Sequence, residues 1–347
     1  MMRTWRLMLV GFGTVGRGVA ERLRDAREEL AALGCDARLV AVLDPLVGSV
    51  QQAGGLDPDT LVTLADGGKP LSSHPGATSA ASTPEVIADL GADIVIEVTP
   101  TNLEDGEPGL SHVRAALAAS RHVITTNKGP IALAYRQLQQ LAAEHRVALR
   151  FEGTVLSGTP VISLCDSGLA AAGIRSVRGI LNGTCNFILT EMESGCSYAE
   201  ALAAAQQAGY AETDPTGDVE GWDAAAKLVI LANSVLGAEI ELNDVECTGI
   251  SSISSEEVAA ARAAGKSWRL VGSVVRVGGA WRARVEPQSL DADDPLAAVS
   301  GADNLLVFDT EALGSVRIGG PGAGRRATGH AVCADLIAIH RRFGAPR

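Results

Sequence analysis

Four apolar residues in a row, at 7–10, run straight into a glycine-rich turn. Such a run reads as a strand buried on both faces. From residue 14 to about 33 the period becomes helical, with Val15, Val19, Leu23 and Leu30 near one stripe. A second apolar run at 39–43 stops at Asp44-Pro45. Residues 48–84 are rich in Gly, Ser, Asp and Pro and read as loops around short elements. Strands are expected again at 94–98, 122–126 and 147–151. A helix is expected at 107–120, and another whose first position is Pro130. Strands alternating with helices give an α/β fold, a doubly wound Rossmann-type parallel sheet.

Beyond about residue 152 the pattern changes. A strand is expected at 174–181, then helices at 184–194, 197–208 and 219–236. Strand-like alternation returns at 268–277, 281–286, 305–310 and 315–319, and a last helix spans 328–342. This half reads as α+β. The expected domains are a nucleotide-binding domain over 1–150, a catalytic and dimerisation α+β domain over 151–320, and a helical segment over 321–347 returning to the first.

Composition narrows the function classes. The chain has 347 residues and a net charge of −12, so it lacks the basic footprint that nucleic acid or an anionic membrane attracts. No apolar run approaches the ~20 residues that span a bilayer. No secretory signal opens the chain, and a cytoplasmic protein is expected. The six cysteines and six histidines are scattered. Free thiols and no transition-metal site are the expectation.

The glycine turn is Gly11-Phe12-Gly13-Thr14-Val15-Gly16. Gly11 allows the tight turn, Gly13 lets the backbone approach a pyrophosphate, and Gly16 lets the helix pack on the sheet. The helix N-terminus then faces the phosphates. Asp44 closes the second strand. It would accept from the adenosine ribose hydroxyls, or it forms a turn before Pro45. No Lys or Arg follows it until Lys69, which leans toward NAD over NADP.

Polar residues gather further on. Asp223 and Lys227 stand four apart on a helix that is apolar nearly all round, so the pair is expected to be buried. A buried pair is costly unless it serves a function, which makes these two candidate active-site residues. Lys128 stands just past a predicted parallel strand, the edge where such folds bind ligands. It is either a site residue or an exposed loop lysine. Cys185 opens a helix, but no histidine falls between His145 and His330 to act as its base, so a nucleophilic role is disfavoured.

Assembled, these motifs resemble the homoserine dehydrogenase family over nearly the whole chain. The matching segments are the turn at 11–16, Glu97 to Pro108, Thr125-Thr-Asn-Lys-Gly-Pro130, Glu152 to Pro160, Asn182-Gly-Thr-Cys-Asn186, Gly209 to Lys227, and Gly320-Pro-Gly-Ala-Gly324. The resemblance implies that Lys227 is the catalytic lysine and Asp223 its substrate-binding partner. Lys128 would be a second lysine of the substrate pocket. Glu212 and Asp218 would surround the homoserine ammonium and hydroxyl. Thr99 and Asn102 would lie near the nicotinamide of NAD or NADP, with Gly324 in the turn that returns the last helix to the nucleotide domain. Glu152, Val155, Ser157 and Thr159 match a loop that holds a sodium ion, mainly through backbone carbonyls. A homodimer is implied. The chain stops soon after its last helix, so no regulatory C-terminal domain and no inhibition by threonine through one are expected.

The chemistry agrees with the resemblance. Homoserine is a zwitterion whose ammonium needs carboxylates and whose carboxylate needs a cation. Oxidising its alcohol removes a proton from oxygen while hydride leaves carbon for the nicotinamide. A positioned lysine could take that proton and return it in reverse. A related dehydrogenase acting on another amino alcohol or semialdehyde would share these motifs. A dinucleotide-sensing protein without turnover would need only the glycine turn.

Overall fold

The apolar run at 7–10 lies in the middle of a seven-stranded sheet whose central residues, Leu7, Met8 and Leu9, have no exposed surface. The computed structural model describes residues 2–80 and 84–344. Its contacts resolve two units, 1–158 with 324–347, and 159–323. Of the loop expected over 48–84, residues 81–83 lie outside the described residues.

The first unit runs β1 (Arg3–Val10), α1 (Thr14–Asp25), α2 (Arg27–Ala32), β2 (Cys35–Leu43), β3 (Val50–Gln51), α3 (Pro58–Asp66), β4 (Thr78–Ser79) and α4 (Pro84–Asp89). It continues with β5 (Ile94–Glu97), α5 (Gly109–Ala118), β6 (His122–Thr125), α6 (Lys128–Glu144) and β7 (Leu149–Arg150). The strand order is β4-β3-β2-β1-β5-β6-β7. The five strands from β2 to β7 pair in parallel, and β3 and β4 add antiparallel edges. The order reverses between β1 and β5, and a doubly wound sheet binds its ligand at the strand ends where it reverses.

Two expectations need correction here. The helix expected over 14–33 bends at Ala26, whose ψ is 7°. The bend brings both Ala26 and Leu30 into the core. Pro130 is the third residue of α6, not its first. Asn127 caps that helix by accepting from the Gly129 N–H. First-turn N–H groups have no intrahelical partner, so proline is tolerated there too.

The second unit carries α7 (Val161–Ser163), β8 (Ile174–Ile180), α8 (Gly183–Glu193), α9 (Tyr198–Gln207), α10 (Thr216–Val219), α11 (Trp222–Val235), β9 (Val245–Cys247) and α12 (Ser255–Ala263). Two hairpins follow, β10 (Lys266–Val277) with β11 (Ala280–Asp291), and β12 (Asp303–Thr310) with β13 (Gly314–Pro321). Its sheet has the order β13-β12-β8-β10-β11-β9. The helix expected over 219–236 is split, because Gly221 adopts a left-handed φ of +88° between α10 and α11.

The chain then re-enters the first unit as α13 (Arg325–Phe343). This helix lies backbone to backbone on α1. A Cβ at Gly18 would sit 2.1 Å from the Arg325 carbonyl oxygen, and one at Gly329 would sit 2.4 Å from that of Gly18. Arg325 clasps Glu21 with two bonds, at 3.0 and 2.6 Å.

At the far end of α13, the Phe343 ring packs at a tilt against His122, with centroids 4.5 Å apart, and the Trp5 indole donates to His340 at 3.1 Å. The His122 Nδ1 accepts from the Ala148 N–H at 3.0 Å. Protonating that nitrogen would break the bond. Burial pushes the His122 imidazole down to about 4, with the Asp93 charge opposing and the Arg3 and Arg342 charges assisting. The unfolded chain takes up this proton near pH 6.5 and the folded chain only near 4. Stability is therefore expected to fall as pH drops from 6.5 to 4, by about 2 kcal/mol once the ring's residual hydration is discounted. Urea denaturation of His122→Gln against the parent checks this. The variant should lose that part of the acid dependence, and an unchanged slope would refute the assignment.

Candidate active site

The glycine turn joins β1 to α1 at the point of strand reversal. Gly11 takes a φ of +96°, and a Cβ there would come within 2.9 Å of the Val98 carbonyl oxygen beyond β5. Gly16 is as tightly held, since its Cβ would lie 2.2 Å from the Gly11 oxygen. Gly13 is the opposite case. Nothing lies within 4 Å of a Cβ built on it. Its surface opens at the head of α1, beside Thr14 and Val15, where the free N–H groups of a first turn attract an anion. A dinucleotide pyrophosphate fits this cradle in both shape and charge.

Asp44 is 8% exposed and braces the turn. Its Oδ2 accepts from the Phe12 N–H at 2.7 Å, and its Oδ1 accepts from the N–H groups of Leu46 and Val47 at 2.8 and 3.0 Å. These bonds are those of the turn-forming reading, and the carboxylate stands at a strand end, the edge at which doubly wound sheets bind ligands.

Beyond β5 and β6, a buried carboxylate missed by sequence reasoning ties the loops together. Glu97 has no exposed surface. It accepts from the Thr99 hydroxyl, from the Thr99 N–H at 2.9 Å and from the Thr125 hydroxyl at 3.0 Å. The Thr125 hydroxyl oxygen in turn accepts from the Asn127 N–H at 3.0 Å. This chain fixes Thr99 and the first residue of α6, Lys128, which is half-buried. Asn102 spends its side chain on its own loop, bonding Glu104 and Asp105. Gly324 caps α13 with a φ of +133°. The one available signal for Glu97 was a charged residue within an otherwise β-branched strand.

In the second unit, Lys227 is 7% exposed among apolar residues of α11. Its Nζ donates to Asp223 Oδ2 at 2.7 Å and to the Leu181 carbonyl oxygen at 2.8 Å. Two of the three positions on the tetrahedral nitrogen are thus fixed. Asp218 joins the group through Asn182, which donates to both Asp218 and Asp223. Glu212 is exposed, with its backbone carbonyl accepting from Gln206. Cys185 is fully buried and its thiol donates to the Asp218 carbonyl oxygen at 3.1 Å. Burial, with Asp218 and Asp223 adding to it, pushes this thiol well above the ordinary range, so it is no nucleophile.

The candidate cation loop begins with Glu152, which is 1% exposed and whose N–H donates to Asp335 at 2.9 Å. Ser157 adopts a left-handed φ of +50°, and its hydroxyl bonds that of Thr328 at 2.8 Å. The Thr159 carbonyl already accepts from the Val161 N–H. Among the described residues, no group of three or more His, Cys, Asp or Glu side chains could hold a metal. Hard oxygen donors that are mainly carbonyls suit an alkali ion and not a transition metal.

Two family models cover the chain in succession. One, the NAD-binding domain of homoserine dehydrogenase, matches residues 11–152, and the other, homoserine dehydrogenase itself, matches residues 160–337. The chain belongs to the homoserine dehydrogenase family. An NAD(+)-dependent homoserine dehydrogenase of Pseudomonas canavaninivorans is 46% identical over 98% of this chain and 97% of its own. A homoserine dehydrogenase of Methanocaldococcus jannaschii is 38% identical over 96% of this chain and 98% of its own. A hyperthermophilic archaeal homoserine dehydrogenase solved with NADPH superposes with a TM-score of 0.84 at 28% identity, covering 99% of this chain and all of that one. Homoserine dehydrogenases therefore match this chain at full length, on both sheets, and with either cofactor represented.

Proposed function

We propose that the chain interconverts L-homoserine and L-aspartate 4-semialdehyde with NAD as its preferred cofactor. The observation that carries the reading is the Lys227 Nζ, which donates to Asp223 and Leu181 and has one position left over. As the neutral amine, Lys227 uses the lone pair at that position to take the hydroxyl proton as the alcohol is oxidised, and as the resulting ammonium it returns that proton in reduction. Asp223 and Asp218 present negative charge to the substrate ammonium, with Glu212 as a third carboxylate on the same segment. Lys128 is the second candidate cation. Gly11 to Gly16, with Asp44, Thr99, Asn102 and Gly324, are assigned to the dinucleotide. The bound nicotinamide supplies the hydride acceptor, and the protein contributes position and charge.

Asp44 and the absence of a basic residue before Lys69 support NAD, because a 2′-phosphate there would meet a carboxylate. With aspartate semialdehyde as substrate, kcat/KM for NADH is expected to exceed that for NADPH by tenfold or more. A preference for NADPH would overturn the cofactor assignment. Glu152, Val155, Ser157 and Thr159 are assigned to a sodium ion on the donor chemistry above.

The family resemblance supports a homodimer built on the second sheet, in a cytoplasmic enzyme of threonine and methionine biosynthesis. No helix among the described residues is long and apolar enough to cross a membrane. Sedimentation at micromolar concentration tests the dimer.

A further inference from the structure

The residue that unites the second unit's polar side chains is Asn182, at the junction of β8 and α8. It is 3% exposed. Its Nδ2 donates to Asp218 Oδ1 at 2.7 Å and to Asp223 Oδ2 at 2.8 Å. Its Oδ1 accepts from the Cys185 N–H at 2.8 Å, capping α8. The amide orientation is fixed by chemistry. Exchanging oxygen and nitrogen would set the carbonyl oxygen against two carboxylates and two N–H groups against a third.

The three bonds differ in purpose. Only one, to Cys185, serves the helix. The other two hold two like charges against a single neutral nitrogen. Bare carboxylates at such spacing repel, and a neutral amide that gives each a hydrogen relieves the repulsion without adding charge. Asp223 Oδ2 accepts from both Asn182 and Lys227. The preceding residue, Leu181, contributes the second acceptor for Lys227. A two-residue step at the end of β8 thus sets the position of all three ionisable groups, with the inert Cys185 thiol packed beneath.

We infer that Asn182 is a positioning residue of the reaction, bridging Asp218 and Asp223 so that Lys227 is aimed and its charge balanced. This rests on the proposed homoserine dehydrogenase activity, in which Lys227 moves the proton. Asn182 acts through those side chains, and the capping bond is separable from that action.

The separation provides the test. Ser and Asp cap helices about as well as Asn. Ser cannot reach both carboxylates, and Asp can donate to neither while adding a third negative charge. If capping were the whole role, Asn182→Ser and Asn182→Asp would behave as the parent. The bridging role predicts a different outcome. In Asn182→Ser, kcat/KM for homoserine falls by tenfold to a hundredfold, with KM for NAD within twofold. In Asn182→Asp, the acid limb of the pH–rate profile also moves up by about one unit, because the added charge holds the Lys227 proton more tightly. Far-UV circular dichroism and thermal melts confirm folding.

No NAD-linked oxidation of homoserine by the parent chain would defeat the functional reading itself. An active parent, with both variants matching it in kinetics and pH profile, would defeat this inference alone. Failure of both variants to fold would also defeat it, by making Asn182 a residue of the fold and not of the site.

Discussion

Replacing Lys227 with Ala is expected to lower kcat for homoserine oxidation by about a thousandfold, the usual scale for losing a positioned acid–base group. The Kd for NAD should stay within twofold, because the glycine turn belongs to the other unit. Lys227→Arg separates charge from proton transfer. Arginine preserves the cation opposite Asp223 but does not give up its proton, so its kcat should fall nearly as far. The alanine variant also takes the Lys227 donor away from the Leu181 carbonyl and from Asp223 Oδ2, which keeps its bond to Asn182, at a cost of about 1–3 kcal/mol in stability. Steady-state kinetics and fluorescence titration with NADH check both. Near-normal turnover in either variant would remove Lys227 from the mechanism.

The second large effect separates two glycines of one turn. Gly13 has a φ of −72° and open space around a built Cβ, so Gly13→Ala should fold with unchanged or slightly raised stability. The added methyl then stands where the pyrophosphate must approach, and KM for NAD is expected to rise by tenfold to a hundredfold. Gly16→Ala drives its Cβ to 2.2 Å from a backbone oxygen that cannot step aside. That variant should lose about 3 kcal/mol of stability as well as cofactor affinity. Melting curves beside KM measurements distinguish them. If Gly13→Ala binds NAD normally, the dinucleotide does not lie on this turn.

Much of this was legible in the sequence, for reasons that differ by residue. The parallel strands were readable because burial on both faces leaves uninterrupted runs such as 94–96. The glycine turn was readable because its function is steric. The Asp223–Lys227 pair was readable because four residues on a helix define a contact. Asn182 and Glu97 were not, since each acts on partners distant in sequence, 36 and 41 residues away for Asn182 and 28 from Glu97 to Thr125. Pro130 misled because proline suits the whole first turn, and only the Asn127 cap decides where that turn starts. The break at Gly221 was hidden because a left-handed φ leaves no mark on the periodicity.

The first unit is assembled from both ends of the chain, and this has a consequence for its birth on the ribosome. The second unit is continuous from Thr159 to Ala323, so all of its residues are made before α13. The nucleotide unit emerges earlier but must wait for α13. Until then the α1 surface around Gly18 and the Trp5 and His122 rings have no cover from that helix. The segment after the insert therefore finishes the unit begun before it, and a released chain truncated just short of residue 325 would carry a finished insert within an unfinished host.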